Sequence, residues 1–315
     1  MNTSSRSPSS PSSSAADRVA SGPALPPRGL TPFVLVTFAW SWLTWWLGPL
    51  VVDATDAGVL TLLIIVGGFG PAVGAVVVTA VTDGAAGVRA LLGRFSPRGH
   101  GGVRPVLMAV VVTVVILATI PVALLAGMSL DGAGVAAGLA SVPMMIVLVA
   151  LAGGGNEELG WRGYMLPRLQ SSLSPVTASI VLGFVWAVWH APLWTLAGSS
   201  QSRLSFPVYV VLVIGISVVL TYVTNASRGG LIAAVATHTA VNVTAGFAAS
   251  ALGGVREADQ AIAMIALAVV LLVATRGRLG APDPADPAVP SAPTHATLSS
   301  TFLDTTPSEG HHDHR

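Results

Sequence analysis

Residues 144–169 read MMIVLVALAGGGNEELGWRGYMLPRL, and the fold class turns on how the two parts of this stretch are joined. The run 144–152 is apolar without interruption. Within the ten residues that follow come Glu157, Glu158 and Arg162, in a chain where only 9% of residues are Asp, Glu, Lys or Arg. Two arrangements fit such a junction. Either a helix leaves the membrane here and its charges are solvated, or the charges sit at membrane depth. At that depth each costs several kcal/mol and must face a protein interior or a water-filled cavity. Position alone leaves both open, so the reading has to come from the rest of the chain.

The chain is 52% hydrophobic, with a mean hydropathy of +0.74 and repeated apolar runs of about twenty residues, more than a soluble core requires. This composition describes an all-α polytopic membrane protein. Windows of about 19 residues give eight candidate spans, near 31–52, 58–81, 104–127, 143–165, 176–197, 207–225, 229–251 and 259–275. The fourth has two possible starts, because Pro143 either opens it or interrupts a longer helix that begins near Gly132. A bundle of about eight transmembrane helices over 31–275, with a motif core at 150–245, is the expected domain. Its flanks, 1–30 and 276–315, are Ser/Pro-rich and Pro/Ala/Thr-rich and are expected to be disordered cytoplasmic tails. The first thirty residues also lack the pattern of a signal peptide. The final GHHDHR reads as a solvated tail, since its histidines have no scaffold to hold a metal. Gly70 and Gly74, four apart in the second span, read as a close helix contact. Trp40, Trp42, Trp45 and Trp46 read as an interfacial aromatic belt at the outer end of the first span.

The chain has no Lys, and its fifteen Arg are unevenly placed. With a cytoplasmic N-terminus, thirteen fall inside and only Arg203 and Arg256 outside. That bias predicts both termini in the cytoplasm. The composition, free of Lys and rich in Ala, Val, Gly and Arg, suggests a GC-rich bacterium and hence its plasma membrane. With no Cys, disulfides, thiolate metal sites and a Cys nucleophile are all excluded. The bilayer and a membrane-associated peptide or protein are the expected partners; nucleic acid is not.

Few polar groups remain within the spans: Glu157, Glu158 and Arg162 in the fourth, His190 in the fifth, and His238 with Asn242 in the seventh. At a rise of about 1.5 Å per residue, Glu157 and His238 lie about 13 Å from the cytoplasmic end, Asn242 about 19 Å and His190 about 21 Å, close enough in depth to share a site. Glu158 and Arg162 are one helical turn apart and can pair. Glu157 projects about 100° away and is free to face a cavity. His238 and Asn242 form a second pair four apart, and Trp186 precedes His190 by one turn. Each group also has a structural alternative. The glutamates can be a solvated helix end, Arg162 and Arg168 positive-inside anchors, His190 a packing residue, and His238 with Asn242 interhelical glue.

These residues resemble the three motifs of the CPBP intramembrane protease family, which includes the CAAX proteases and bacteriocin-processing enzymes. EELGWRGYMLPRL is similar to its first motif, two Glu followed after three residues by Arg. Trp186-Ala-Val-Trp-His190 is similar to the second, with Trp where the family usually has Phe. His238-Thr-Ala-Val-Asn242 is similar to the third. The resemblance implies peptide hydrolysis within the membrane. Glu157 would be the general base, and His190 would orient or deprotonate water. His238 and Asn242 would bind the oxyanion, with Glu158 and Arg162 as supports. Family members are described both as glutamate proteases and as metalloproteases. Glu157, His190 and His238 would supply a carboxylate and two imidazoles to Zn²⁺, although the chain has no HExxH motif. The alternatives are a non-catalytic member that confers immunity or anchors a partner, and a proton-coupled transporter, against which stands the lack of matching broken helices in two halves.

Overall fold

The computed structural model describes residues 29–97 and 104–281, and every regular element among them is helical. In chain order these are α1 (Leu30–Val51), α2 (Ala57–Gly68), α3 (Gly70–Gly93), α4 (Leu107–Leu117), α5 (Thr119–Leu125), α6 (Gly132–Ala152), α7 (Gly154–Gly160), α8 (Leu166–Gln170), α9 (Pro175–Trp189), α10 (Phe206–Ala226), α11 (Ile232–Ala251) and α12 (Glu257–Ala274). Among the described residues, seven helical stretches are long and apolar enough to cross a membrane: α1, α2 with α3, α4 with α5, α6 through α8, α10, α11 and α12. The protein is an integral membrane protein. The expected tails lie outside the described residues except at their inner ends.

The structure revises two of the eight spans. The fourth begins at Gly132, where the Asp131 side chain accepts a hydrogen bond from the Ala133 N–H at 3.0 Å, and the helix runs through Pro143 without ending. The fifth is shorter than expected. α9 has 15 residues, about 22 Å of helix, and it stops at Trp189 because Pro192 lacks the N–H that the next turn needs. A 3-10 turn, Ala191–Trp194, carries the chain onward. His190 therefore caps α9 rather than sitting inside a span. Such irregular backbone is tolerated at membrane depth only where protein surrounds it, and His190, Pro192 and Leu193 are all buried.

Small residues bring the helices close enough to form a site. α1 buries Phe33, Thr37, Ser41 and Trp45, a stripe four residues apart that packs on α3. A Cβ on Gly70 would overlap Ser41, and one on Gly74 would stand 3.1 Å from the Phe33 carbonyl oxygen, so the close contact expected at these glycines exists. The same stripe corrects the reading of the tryptophans. Trp45 is buried and Trp42 donates to the Trp189 carbonyl at 2.9 Å; only Trp40 and Trp46 stay exposed for an interfacial belt.

α7 lies between α3 and α11. A Cβ added to Gly160 would stand 2.5 Å from both Cβ and the carbonyl oxygen of Pro71, and backbone cannot yield as a flexible side chain does. Gly160→Ala is expected to cost about 1–3 kcal/mol through this overlap. Thermal unfolding of the detergent-purified protein measures it as a melting temperature several degrees lower.

At one end of the bundle, Arg94 ties three segments together. Its Nε donates to Gly229 O at 2.8 Å, its Nη1 donates to Gly163 O, and its own carbonyl accepts from the Leu231 N–H at 2.9 Å. Pro167 has no N–H to offer Gly163 O, the acceptor four residues earlier, and the Arg94 guanidinium takes that place. Burial, and secondarily the Arg168 charge, push this guanidinium below its ordinary value. From sequence, Arg94 is only one of the inside-facing charges.

Candidate active site

The helix that carries the first motif is interrupted on both sides. At Gly153 the backbone leaves the helical region (φ −115°, ψ −93°) and α7 starts anew. After Gly160 the chain makes a π turn, Trp161–Met165; such turns widen the ladder locally and recur at functional sites. The glycines before Glu157 admit a neighbouring helix at Gly154. A Cβ there would lie 3.3 Å from His238 Cβ and 3.4 Å from Val235 O, so α11 approaches α7 at this point.

The two glutamates separate as their angular offset predicts. Glu158 is fully buried, and its Oε1 accepts from Arg162 Nη1 at 3.0 Å and pairs with His238 Nδ1 at 2.7 Å. Arg162 is fully buried as well, and its guanidinium carbon lies 4.5 Å from the centroid of the Trp186 ring. Two charges this deep are tolerable only when paired and hydrogen-bonded. The ion pair, the imidazole and the indole meet that condition in part; Glu158 Oε2 and Arg162 Nε and Nη2 are buried with no hydrogen bond to a described residue. Because a carboxylate only accepts, His238 carries its proton on Nδ1, and Nε2 is left for another partner.

Glu157 turns the other way. Its Oε2 accepts from the Trp186 indole N–H at 2.7 Å, and Oε1 makes no hydrogen bond to a described residue. Trp186 also holds His190, whose Nδ1 lies 2.9 Å from the Trp186 carbonyl oxygen. A carbonyl oxygen can only accept, so Nδ1 bears the proton and Nε2 of the neutral ring is an acceptor. The ring of Trp186 stands 6.1 Å from that of His190 and 5.4 Å from that of His238, centroid to centroid. One indole thus gathers Glu157, Arg162, His190 and His238 around it.

From sequence, Trp186 has only a place in a motif, as the aromatic that precedes His190. The departure from Phe has chemical content, because phenylalanine has no N–H to give Glu157. Behind His190 the Trp189 ring packs at 4.5 Å, its indole N–H donating to Ser41 Oγ at 2.7 Å. Through this bond the buried stripe of α1 braces the end of α9.

Five of the six residues singled out from sequence are brought together. Asn242 stands apart: it follows His238 by one turn on α11, but its side chain is exposed and makes no hydrogen bond to a described residue. As for the metal trio, no group of three His, Asp or Glu among the described residues has the arrangement to hold an ion. Glu157, His190 and His238 form no such group, and what they offer as placed is proton transfer and hydrogen bonding. Arg168, expected to be an anchor, caps the Tyr164 carbonyl at 3.0 Å and stacks 3.5 Å over its ring, away from the cluster.

Comparison with known proteins bears on the same segment. A family model described as type II CAAX prenyl endopeptidase Rce1-like matches residues 138–244. The CAAX prenyl protease 2 of Methanococcus maripaludis is 31% identical over 108 residues, 32% of this chain and 39% of the relative's own length. The match thus spans well under half of either chain. The segment matched by the family model contains all three motifs and both interruptions around α7.

Proposed function

We propose that this chain, whose residues 138–244 match the Rce1-like, CAAX-protease type, is an intramembrane endopeptidase that uses Glu157 to activate water. The observation that carries the reading is the state of Glu157. One carboxylate oxygen is fixed by the Trp186 N–H and the other is unengaged, in a buried position beside two imidazoles whose Nδ1 atoms are already committed.

In this reading, water donates one proton to Glu157 Oε1 and the other into a hydrogen bond to His190 Nε2. As the water oxygen bonds to the scissile carbonyl carbon, its proton passes to Glu157. The resulting oxyanion accepts from His238 Nε2–H, with the imidazolium paired to Glu158, and from the amide of Asn242. Donors placed on developing charge in a dry site are among the strongest catalytic devices. Collapse breaks the C–N bond, and Glu157 returns its proton to the leaving amine, so an amine and a carboxylic acid are released, the acid keeping the second water proton. The exposure of Asn242 suits a residue that meets substrate at an open side of the site. The substrate is a membrane-associated protein or peptide, lipidated or unmodified, in a bacterial plasma membrane, with both termini of this chain cytoplasmic.

The test is cleavage of a panel of membrane peptides by the purified chain in liposomes, with products read by mass spectrometry. His190→Ala is expected to lower the rate about 10²- to 10⁴-fold while the protein stays folded. Equal rates for wild type and variant, or no cleavage by either, overturn the assignment. Intact peptide binding without cleavage identifies a non-catalytic binding or immunity protein, and proton flux that requires Glu157 identifies a transporter.

A further inference from the structure

One polar side chain beside the cluster has no part in the chemistry above. Tyr209 lies in the first turn of α10, three residues after Phe206. Both rings pack edge-on against Trp194, with centroids 4.9 Å and 5.0 Å away, and the indole N–H of Trp194 is fixed to Leu204 O at 2.8 Å. On its other side the Tyr209 ring meets His190 at 5.5 Å and 76°. The ring is therefore held between Trp194 and His190, and phenylalanine would fill that slot equally well.

The hydroxyl is what phenylalanine would lack. It makes no hydrogen bond to any described residue. His190, which this ring meets, is bonded to Trp186, as is Glu157, so the phenol stands beside the same cluster as the base. Tyr209 is only half-buried, and its hydroxyl is not among the buried polar atoms that lack a partner. With no protein acceptor or donor on it, the group open to it is a water molecule.

The geometry points to the Tyr209 hydroxyl as the donor that holds the attacking water, an assignment that rests on the hydrolytic reading above. Water has two protons and two lone pairs. One proton goes to Glu157 and the other to His190 Nε2. If both lone pairs were free, the molecule could rotate about these bonds and present its oxygen in several directions. The Tyr209 O–H occupies one lone pair and leaves the other for the scissile carbonyl carbon. Tyr209 keeps its proton throughout: the C–O bond forms, the transferred proton goes to Glu157, and the phenol hydrogen bond passes from water to the new hydroxyl of the tetrahedral adduct.

The experiment is steady-state cleavage, by Tyr209→Phe in liposomes, of a peptide that the wild type cleaves. The expected result is a kcat about ten- to hundredfold lower, the worth of one buried hydrogen bond in the transition state. KM, the shape of the pH profile and the melting temperature should be unchanged. Full kcat in Tyr209→Phe overturns the assignment, and so does a raised KM at unchanged kcat, which would make the hydroxyl a substrate contact. Tyr209→Leu is the control. If it loses activity while Tyr209→Phe does not, the ring matters and the hydroxyl does not. Wild-type cleavage with an unaffected Phe variant removes this assignment alone. Absence of cleavage by the wild type removes the hydrolytic reading and this assignment with it.

Discussion

Glu157→Gln is expected to lower kcat by about 10²- to 10⁴-fold, the usual contribution of a positioned general base, while the protein folds as before. The substitution isolates the proton-accepting function. The glutamine Oε1 can still accept from the Trp186 indole N–H, a bond of 2.7 Å with Glu157, so no buried donor is orphaned and the volume is unchanged. Only the ability to take a proton from water is lost. Cleavage assays on proteoliposomes, with thermal unfolding in parallel, separate the two effects. Near-normal turnover by the glutamine variant would mean that another group takes the proton.

Arg162→Ala is expected to act on stability instead, and more severely than Gly160→Ala. It leaves Glu158 fully buried with only His238 as partner and removes the cation that lies against the Trp186 ring. Removing one member of a buried ion pair costs about 3–5 kcal/mol, a large part of the roughly 5–15 kcal/mol that holds a typical domain folded. The expected outcome is a sharp fall in the yield of monodisperse protein and a melting temperature lower by about ten degrees or more, the order of magnitude that such a loss implies. Arg162→Lys keeps the charge but lacks the planar fork, and its stability should fall between the two. A melting temperature unchanged in Arg162→Ala would show that the pair contributes nothing net. Activity alone does not discriminate, because a misfolded site is also inactive.

What the sequence makes legible follows from how local each feature is. The pairing of Glu158 with Arg162 and the outward turn of Glu157 depend on helical periodicity over a few residues, and both hold. The contact at Gly70 and Gly74 is likewise readable from spacing within one helix. His238 on Glu158 joins residues 80 apart in the chain, and Trp186 on Glu157 joins residues 29 apart; no periodicity carries such bonds. The inward tryptophans escape sequence reading for a different reason. Four Trp in seven residues suit an aromatic belt, but two of them fall on or beside the face that carries Phe33, Thr37 and Ser41, and packing claims that face. The early end of α9 is visible in principle at Pro192. A hydropathy window of about 19 residues averages across it, because Trp, Leu and Ala on either side keep the mean apolar. The Arg94 clamp depends on a carbonyl freed by Pro167, a residue far from it in the chain, and charge placement alone says nothing of it.

The shortness of α9 has a further consequence for the lipid around it. Ile180, Val181 and Phe184 are exposed, so this helix presents an apolar flank outward, yet its length of about 22 Å falls short of a hydrocarbon layer about 30 Å thick. Beyond it the chain turns polar, with Ser199, Ser200, Gln201, Ser202 and Arg203 in succession. A bilayer meets such a shortfall by thinning locally. Such thinning would draw headgroups, and the water they carry, toward the plane of His190 on this flank. In the proposed reaction, which consumes one water per bond cut, such a dent would deliver that water without a pore through the bundle.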